Sequence, residues 1–318
     1  MASLFQIAKN TFRECVREPI YLLVLLTALG LIGILPVFTL FVFREQVKLV
    51  VDSAMAAMLV FGWIVAVLCA SHAIAREISN GTALLVLSKP VKRPVFILAK
   101  IAGILAATAV FWALTGIATL IAVRVAKDQF RFDNTVMAIY FGAVILSLAL
   151  AGLHNYLKRS SFPMAAVVAL LVVLPLAATL VCWLPAGGRY VGFEWHLAPA
   201  LLLILYAVWA MGTLATALST RFDLIPNLLI CGAIFVIGLM SDYLLGRHAA
   251  ANPLFRVLYA CVPNWQLFWM ADAMAADKTI PLFYLILGAA YIACFLALFI
   301  LLAVIMFWRR EVGTQSMT

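Results

Sequence analysis

The chain has 318 residues, 67% of them hydrophobic and 11% charged, with a formal net charge of +9. Ordinary soluble domains hold roughly 45–50% apolar and 25% charged residues, so no soluble core could hide this much apolar surface. The positive balance does not mark a nucleic-acid binder, because no basic run is long enough to track phosphates and the short basic clusters lie beside apolar runs.

Residues 4–16 open the chain with an amphipathic pattern. Leu4, Phe5, Ala8, Phe12, Cys15 and Val16 fall on one helical face, and Lys9, Asn10, Arg13, Glu14 and Arg17 on the other, as suits a membrane surface. Pro19 ends that helix. The run that follows is too long for a signal-peptide core and has no small-residue cleavage site. Apolar spans are predicted at about 20–43, 55–75, 101–123, 135–156, 163–184, 197–218, 226–244 and 282–308, each near the ~20 residues that cross a bilayer core. The expected fold is therefore an all-α, polytopic helical membrane protein with about eight crossings.

An even number of crossings puts both termini on one side, and the basic residues choose it. Lys9, Arg13, Arg17, Arg76, Lys89, Lys92, Arg93, Lys100, Lys158, Arg159, Arg221, Arg309 and Arg310 share the side of the termini. A smaller set, diluted by most of the acidic residues, lies opposite. The positive-inside rule then places both termini in the cytoplasm.

Two connections exceed simple turns. Residues 76–100 are the most polar stretch and fall in the cytoplasm on this topology. Residues 246–281 are external and semi-apolar, with Pro253, Pro263 and Pro281 dividing them into short helices at about 254–261 and 265–276 that lie in or dip into the interface.

Chemistry is sparse. The middles of the spans carry no Asp, Glu, Lys or Arg, which argues against a charge-relay pump, and Asp242 falls near an outer end. Ser71, His72, His154 and Asn155 read as interfacial or packing groups, and His196 beside Glu194 and Trp195 as an aromatic-belt position. The six cysteines form no C-x-x-C pair, no H-E-x-x-H or nucleophile elbow occurs, and neither a metal site nor a catalytic residue is indicated. A G-x-x-x-x-G-K-[ST] loop is also absent, so the chain is not expected to be an enzyme by itself, and energy for active transport would have to come from another protein.

The loop reads R-E-I-S-N-G-T-A-L-L-V-L-S-K-P-V-K-R-P-V-F-I-L-A-K from Arg76 to Lys100. Gly81 can end one helix, Thr82 can cap a short helix over 83–87, Pro90 stops it, and Pro94 suits the first turn of the next. Leucines lying outside the bilayer favour docking against a partner, whereas a plain solvated loop would only enforce topology.

At these residues the chain resembles the membrane-spanning subunit of type-2 ABC exporters. The resemblance lies in the amphipathic helix at 7–18, in Glu77, Gly81-Thr82, Leu84-Leu85, Ser88-Lys89-Pro90-Val91, Arg93 and Lys100, and in the end of the chain. That end contains Val262-Pro263-Asn264-Trp265, Asp272, Ile280-Pro281, a long last span and Phe307-Trp308-Arg309-Arg310-Glu311. It implies an elbow helix (1–19; Phe5, Phe12, Arg13, Arg17) and a permease domain (20–318). It also implies a coupling helix whose contact with an ATPase subunit is formed or shaped by Glu77, Gly81, Thr82, Leu84, Leu85, Ser88, Pro90 and Arg93. An external gate would involve Pro263, Asn264, Trp265 and Asp272. By the same resemblance, two ATPase subunits carry ATP and Mg²⁺ while this chain binds no cofactor, and a second permease subunit, identical or different, completes the complex in the plasma or inner membrane. Family members have six crossings, so an extra helical hairpin is expected at 163–218. The reading from a different class is a membrane scaffold or assembly factor with no transport of its own.

Overall fold

The computed structural model describes residues 2–38, 45–79, 93–127, 133–186, 189–190, 192–249, 252–275 and 278–308. Among them, seven helices are long and apolar enough to cross a membrane, the architecture of a multi-pass helical membrane protein. An amphipathic helix α1 (Ala2–Arg17) precedes α2 (Pro19–Phe38). Helix α3 (Gln46–Ala70) continues through a π turn (Ser71–Ala75) into a last turn (Arg76–Ser79). Helix α4 (Arg93–Ala126) is followed by α5 (Asn134–Lys158), α6 (Phe162–Trp183) and α7 (Ala198–Ser219). Then come α8 (Leu224–Leu239), the short helices α9 (Pro253–Cys261) and α10 (Ala271–Ala275), and the final span α11 (Leu282–Trp308). A two-residue antiparallel ladder, Pro185–Ala186 with Arg189–Tyr190, is the one strand pairing among the described residues.

The spans differ from the expected bounds where polar residues extend them. Helix α3 begins at Gln46 rather than 55, and α4 at Arg93 rather than 101, because helical hydrogen bonding continues through the polar residues that flank the apolar runs. The expected span at 226–244 is corrected: α8 ends at Leu239, and the next helical stretch, Asp242–Ala249, turns from it by 60°. Counting the bent pair as one span gives eight.

Packing contacts order the helices between two ends of the bundle. At one end Lys100 on α4 meets Glu14 on α1, and Phe96 stacks on Phe307 near the close of α11 with centroids 5.9 Å apart. At the other end Lys48 of α3 pairs with Asp272, and Lys127 after α4 pairs with Glu194 ahead of α7. Both α1 and the C-terminal part of α11 therefore lie at the same end.

Close packing follows from small residues and from satisfied polar groups, the main sources of helix association inside lipid. Helix α7 is the most enclosed span and packs among α3, α4, α8 and α11. Ala207, Ala210, Gly212, Ala215 and Ala217 let its neighbours approach, and Thr213, Thr216 and Ser219 return their hydroxyls to carbonyls of the same helix. Indole bonds tie it to α4: Trp112 Nε1 donates to Leu201 O at 2.6 Å, and Trp209 Nε1 to Leu105 O at 3.1 Å. On the opposite flank Tyr21 OH donates to Ala107 O at 2.9 Å and Tyr140 OH to Leu29 O at 2.7 Å, joining α2 to α4 and α5. The two helices of 163–218 have different neighbours: α6 packs most extensively on α5, whereas α7 belongs to the core.

Candidate functional site

Helix α1 is held against α4 by a backbone approach that only glycine allows. A Cβ at Gly103 would lie 2.6 Å from Ala8 O and 3.0 Å from Phe12 N. The buried face of α1 is Thr11, Cys15 and Val16, and the Thr11 hydroxyl is satisfied by Ile7 O at 3.0 Å. Phe5 is exposed, Phe12 half-buried, and Arg13 and Arg17 exposed. The apolar face read from sequence thus divides: its C-terminal half packs on the bundle and its N-terminal half faces outward.

This docking brings three helices to one cation. Lys100, whose side chain is 3% exposed, places Nζ 2.7 Å from Glu77 Oε1 and 3.3 Å from Glu14 Oε2. The aliphatic stem runs past Phe96, with Nζ 5.7 Å from the ring centroid. Glu77 comes from the last turn of α3, Glu14 from α1 and Lys100 from the second turn of α4. A buried cation needs partners or its desolvation goes uncompensated, and the two carboxylates supply them. Burial pushes the Glu77 carboxyl above the usual carboxylate range, Lys100 pulls it down by charge and hydrogen bond, and Glu14 adds to the upward push; burial wins. One turn away, Glu18 Oε1 accepts from Arg76 Nη1 at 3.1 Å and lies 3.9 Å from His72 Nδ1. The α1–α2 junction is thereby tied to the end of α3.

Glu77 lies at the end of the second span as expected, but its carboxylate is turned to Lys100 and largely buried rather than exposed. Gly81, Thr82, Leu84, Leu85, Ser88 and Pro90 lie outside the described residues, and Arg93 is described only as the opening residue of α4. Lys100, Glu14 and Glu18 were not singled out as site residues. The available signal for Lys100 was its position as a single cation inside the apolar start of a span.

Behind the charged cluster lies a polar knot that sequence reasoning missed. Asn227, fully buried at the start of α8, donates from Nδ2 to Ser71 Oγ at 3.0 Å, Ser219 Oγ at 2.8 Å and Ala215 O at 3.2 Å. Its Oδ1 accepts from Cys231 Sγ at 3.4 Å. Ser71 opens the π turn of α3, a local insertion that often marks a functional position in a helix. The packing role read for Ser71 is thus realised through a partner 156 residues away.

At the other end the proposed external residues form a second centre. The expected helix at 265–276 is corrected to a 3₁₀ turn, Trp265–Phe268, and α10, separated at Trp269 and Met270. This part folds into the bundle: Trp265, Phe268 and Ala271 are buried, while α9 contributes no buried residue. Trp265 sits against Gly238, where an added Cβ would meet the indole and lie 2.6 Å from Pro263 O. Asn264 donates from Nδ2 to Asp242 Oδ1 at 3.0 Å, and Tyr259 OH donates to the same oxygen at 2.5 Å. The Asn264 N–H donates to Tyr291 OH at 3.0 Å, and Asn264 Oδ1 accepts from the Gln266 N–H at 2.9 Å. Asn264 is therefore tied to Asp242, while Pro263 and Trp265 lie against Gly238. Asp272 stands apart, 3.8 Å from Lys48 and well exposed. His196 Nδ1 lies 2.5 Å from Glu194, which also holds Lys127.

Among the described residues, no group of three or more His, Cys, Asp and Glu is placed to hold a metal ion. No protein-family model matches the chain, and no curated protein matches it.

Proposed function

We propose that this chain is the membrane-spanning subunit of an ATP-driven transporter of the type-2 ABC exporter kind, taking energy from a separate ATPase subunit through residues 76–100. The observation that carries the reading is the Lys100 cluster. It brackets residues 80–92 on both sides, tying the end of α3 to the start of α4 and both to α1. A push on the intervening loop would move the three helices together, because displacing one would uncover a buried charge pair.

In this reading α1 is the elbow helix and its end of the bundle is cytoplasmic. Gly81, Thr82, Leu84, Leu85, Ser88, Pro90 and Arg93 form or shape the ATPase contact. The assembly holds two ATPase subunits, which bind ATP and Mg²⁺, and a second permease subunit. The added pair relative to a six-helix core is α5 with α6, since these pack on each other at the flank while α7 is central. Asp242, Asn264 and Trp265 hold the external segment closed against α8 and α11, as an outer gate requires.

Affinity purification of the tagged chain from native membranes in mild detergent tests the proposal. A P-loop ATPase should co-purify at near-equal stoichiometry, and Leu85→Asp should release it while membrane insertion is retained. Failure to recover an ATPase across several detergents would move the reading to a membrane scaffold.

A further inference from the structure

We propose that the groove between α5 and α6 is a binding site for one anionic phospholipid, with an acyl chain along the groove and the phosphate at the α5–α6 turn. The cavity is about 490 Å³, within the roughly 300–1,000 Å³ of small-molecule sites. Its wall is mostly apolar, with Leu150 from α5 and Met164, Val168 and Val172 from α6, the last three at helical spacing along one face. Ala165 and Ala169 keep the wall open.

The polar part of the lining is gathered at one end. His154, Ser160 and Ser161 line it there, at the turn between the two helices. Ser160 Oγ is buried yet has no hydrogen-bond partner. Ser161 precedes the first turn of α6 and makes no side-chain cap bond, so the partial positive charge of that helix end also faces the turn. Lys158 and Arg159 are exposed beside it and enter no ion pair among the described residues. The turn is fixed: Arg159 takes a left-handed conformation (φ 51°), its N–H donates to Asn155 O at 2.8 Å, and the Asn155 amide donates to Ser160 O.

Charge complementarity selects the occupant. An anionic headgroup meets two cations, a hydroxyl lacking a partner and a helix N-terminus, whereas a zwitterionic headgroup brings its own cation to the same place. The apolar length of the groove selects a lipid over a free phosphate. This end of the bundle also carries α1, the side that the basic residues assign to the cytoplasm, where anionic lipids concentrate.

Native mass spectrometry of the delipidated full-length protein tests the assignment, with titration by phosphatidylglycerol, phosphatidylcholine or inorganic phosphate. One phosphatidylglycerol should be retained at least fivefold over phosphatidylcholine, with inorganic phosphate failing to displace it. Lys158→Gln with Arg159→Asn, the latter tolerant of the left-handed backbone, should bring the preference to near unity. Val168→Trp, at a position 51% exposed and so compatible with folding, should lower retention of both lipids at least fivefold. Equal retention of the two lipids, displacement by inorganic phosphate, unchanged binding in Val168→Trp, or occupation of the groove by a second copy of the chain would each overturn the proposal.

Discussion

Lys100 and Glu77, 23 positions apart and 2.7 Å from nitrogen to oxygen, tie the start of α4 to the end of α3 with an ion pair whose cation is almost wholly buried. Breaking such a pair from one side costs more than the pair contributes, because the remaining charge stays desolvated. Lys100→Ala should therefore destabilise the protein by about 3 kcal/mol. Replacing both residues, Lys100→Met with Glu77→Gln, should cost less than Lys100→Ala alone. Thermal unfolding of the purified variants in one detergent checks the order.

The Glu77 carboxyl also sets a pH dependence. Burial raises its folded-state pKa, so the folded protein holds this proton more tightly than the unfolded chain. Its contribution is fully present below the unfolded carboxylate pKa and is lost as pH rises through the raised folded value. The stability of the native protein minus that of Glu77→Gln should accordingly increase as pH falls from 7 towards the ordinary carboxylate range. A flat difference would mean that Lys100 offsets burial completely.

Gly103→Ala should push α1 off α4, since the new methyl meets backbone atoms of Ala8 and Phe12 rather than the end of a flexible side chain. The expected cost is about 1–3 kcal/mol. Cys15, 1% exposed on the buried face of α1, provides a direct readout. In a background with Cys182, Cys261 and Cys294 replaced by alanine, maleimide should label Cys15 faster in the Gly103→Ala variant.

Asn227→Leu should be milder than its complete burial suggests. Interhelical hydrogen bonds in membranes contribute about 0.6 kcal/mol on average, and Ser219 keeps a bond to Ala215 O when Asn227 is lost. A loss near 1 kcal/mol is expected, accompanied by faster modification of Cys231, whose thiol donates to Asn227.

At the far end, Gly238→Ala and Asp272→Asn should behave oppositely. The first collides with the Trp265 indole and with Pro263 O, and should release the segment around Trp265, seen as increased proteolysis near 262–271. The second removes an exposed pair and should change stability by less than about 1 kcal/mol, leaving recovery of the ATPase unaltered.

The helical architecture was legible because bilayer length and backbone satisfaction leave few alternatives, and apolar runs such as 135–156 and 163–184 became α5 and α6 with little change. The bend after Leu239 was not legible, because the glycine beside it, Gly238, sits in an apolar run like Gly116 and Gly212 of unbroken spans. Local patterns placed Glu77 at the end of the second span, whereas Asn264 and Trp265 were singled out only through the family resemblance. Local patterns could not indicate Lys100 with Glu14 or Asn227 with Ser71, since these pairs depend on how distant helices meet. Helix α6 is the more apolar in sequence and α7 the more enclosed in the fold, so hydropathy does not mark the core helix; only packing distinguishes it from the flank.

The most direct test of the central claim places a photo-crosslinking amino acid at position 85 and irradiates native membranes. The account predicts one dominant adduct, to a P-loop ATPase subunit, that is lost when Thr82 and Leu84 are changed to aspartate. Crosslinks confined to lipid or to this chain, with no ATPase adduct, would contradict it.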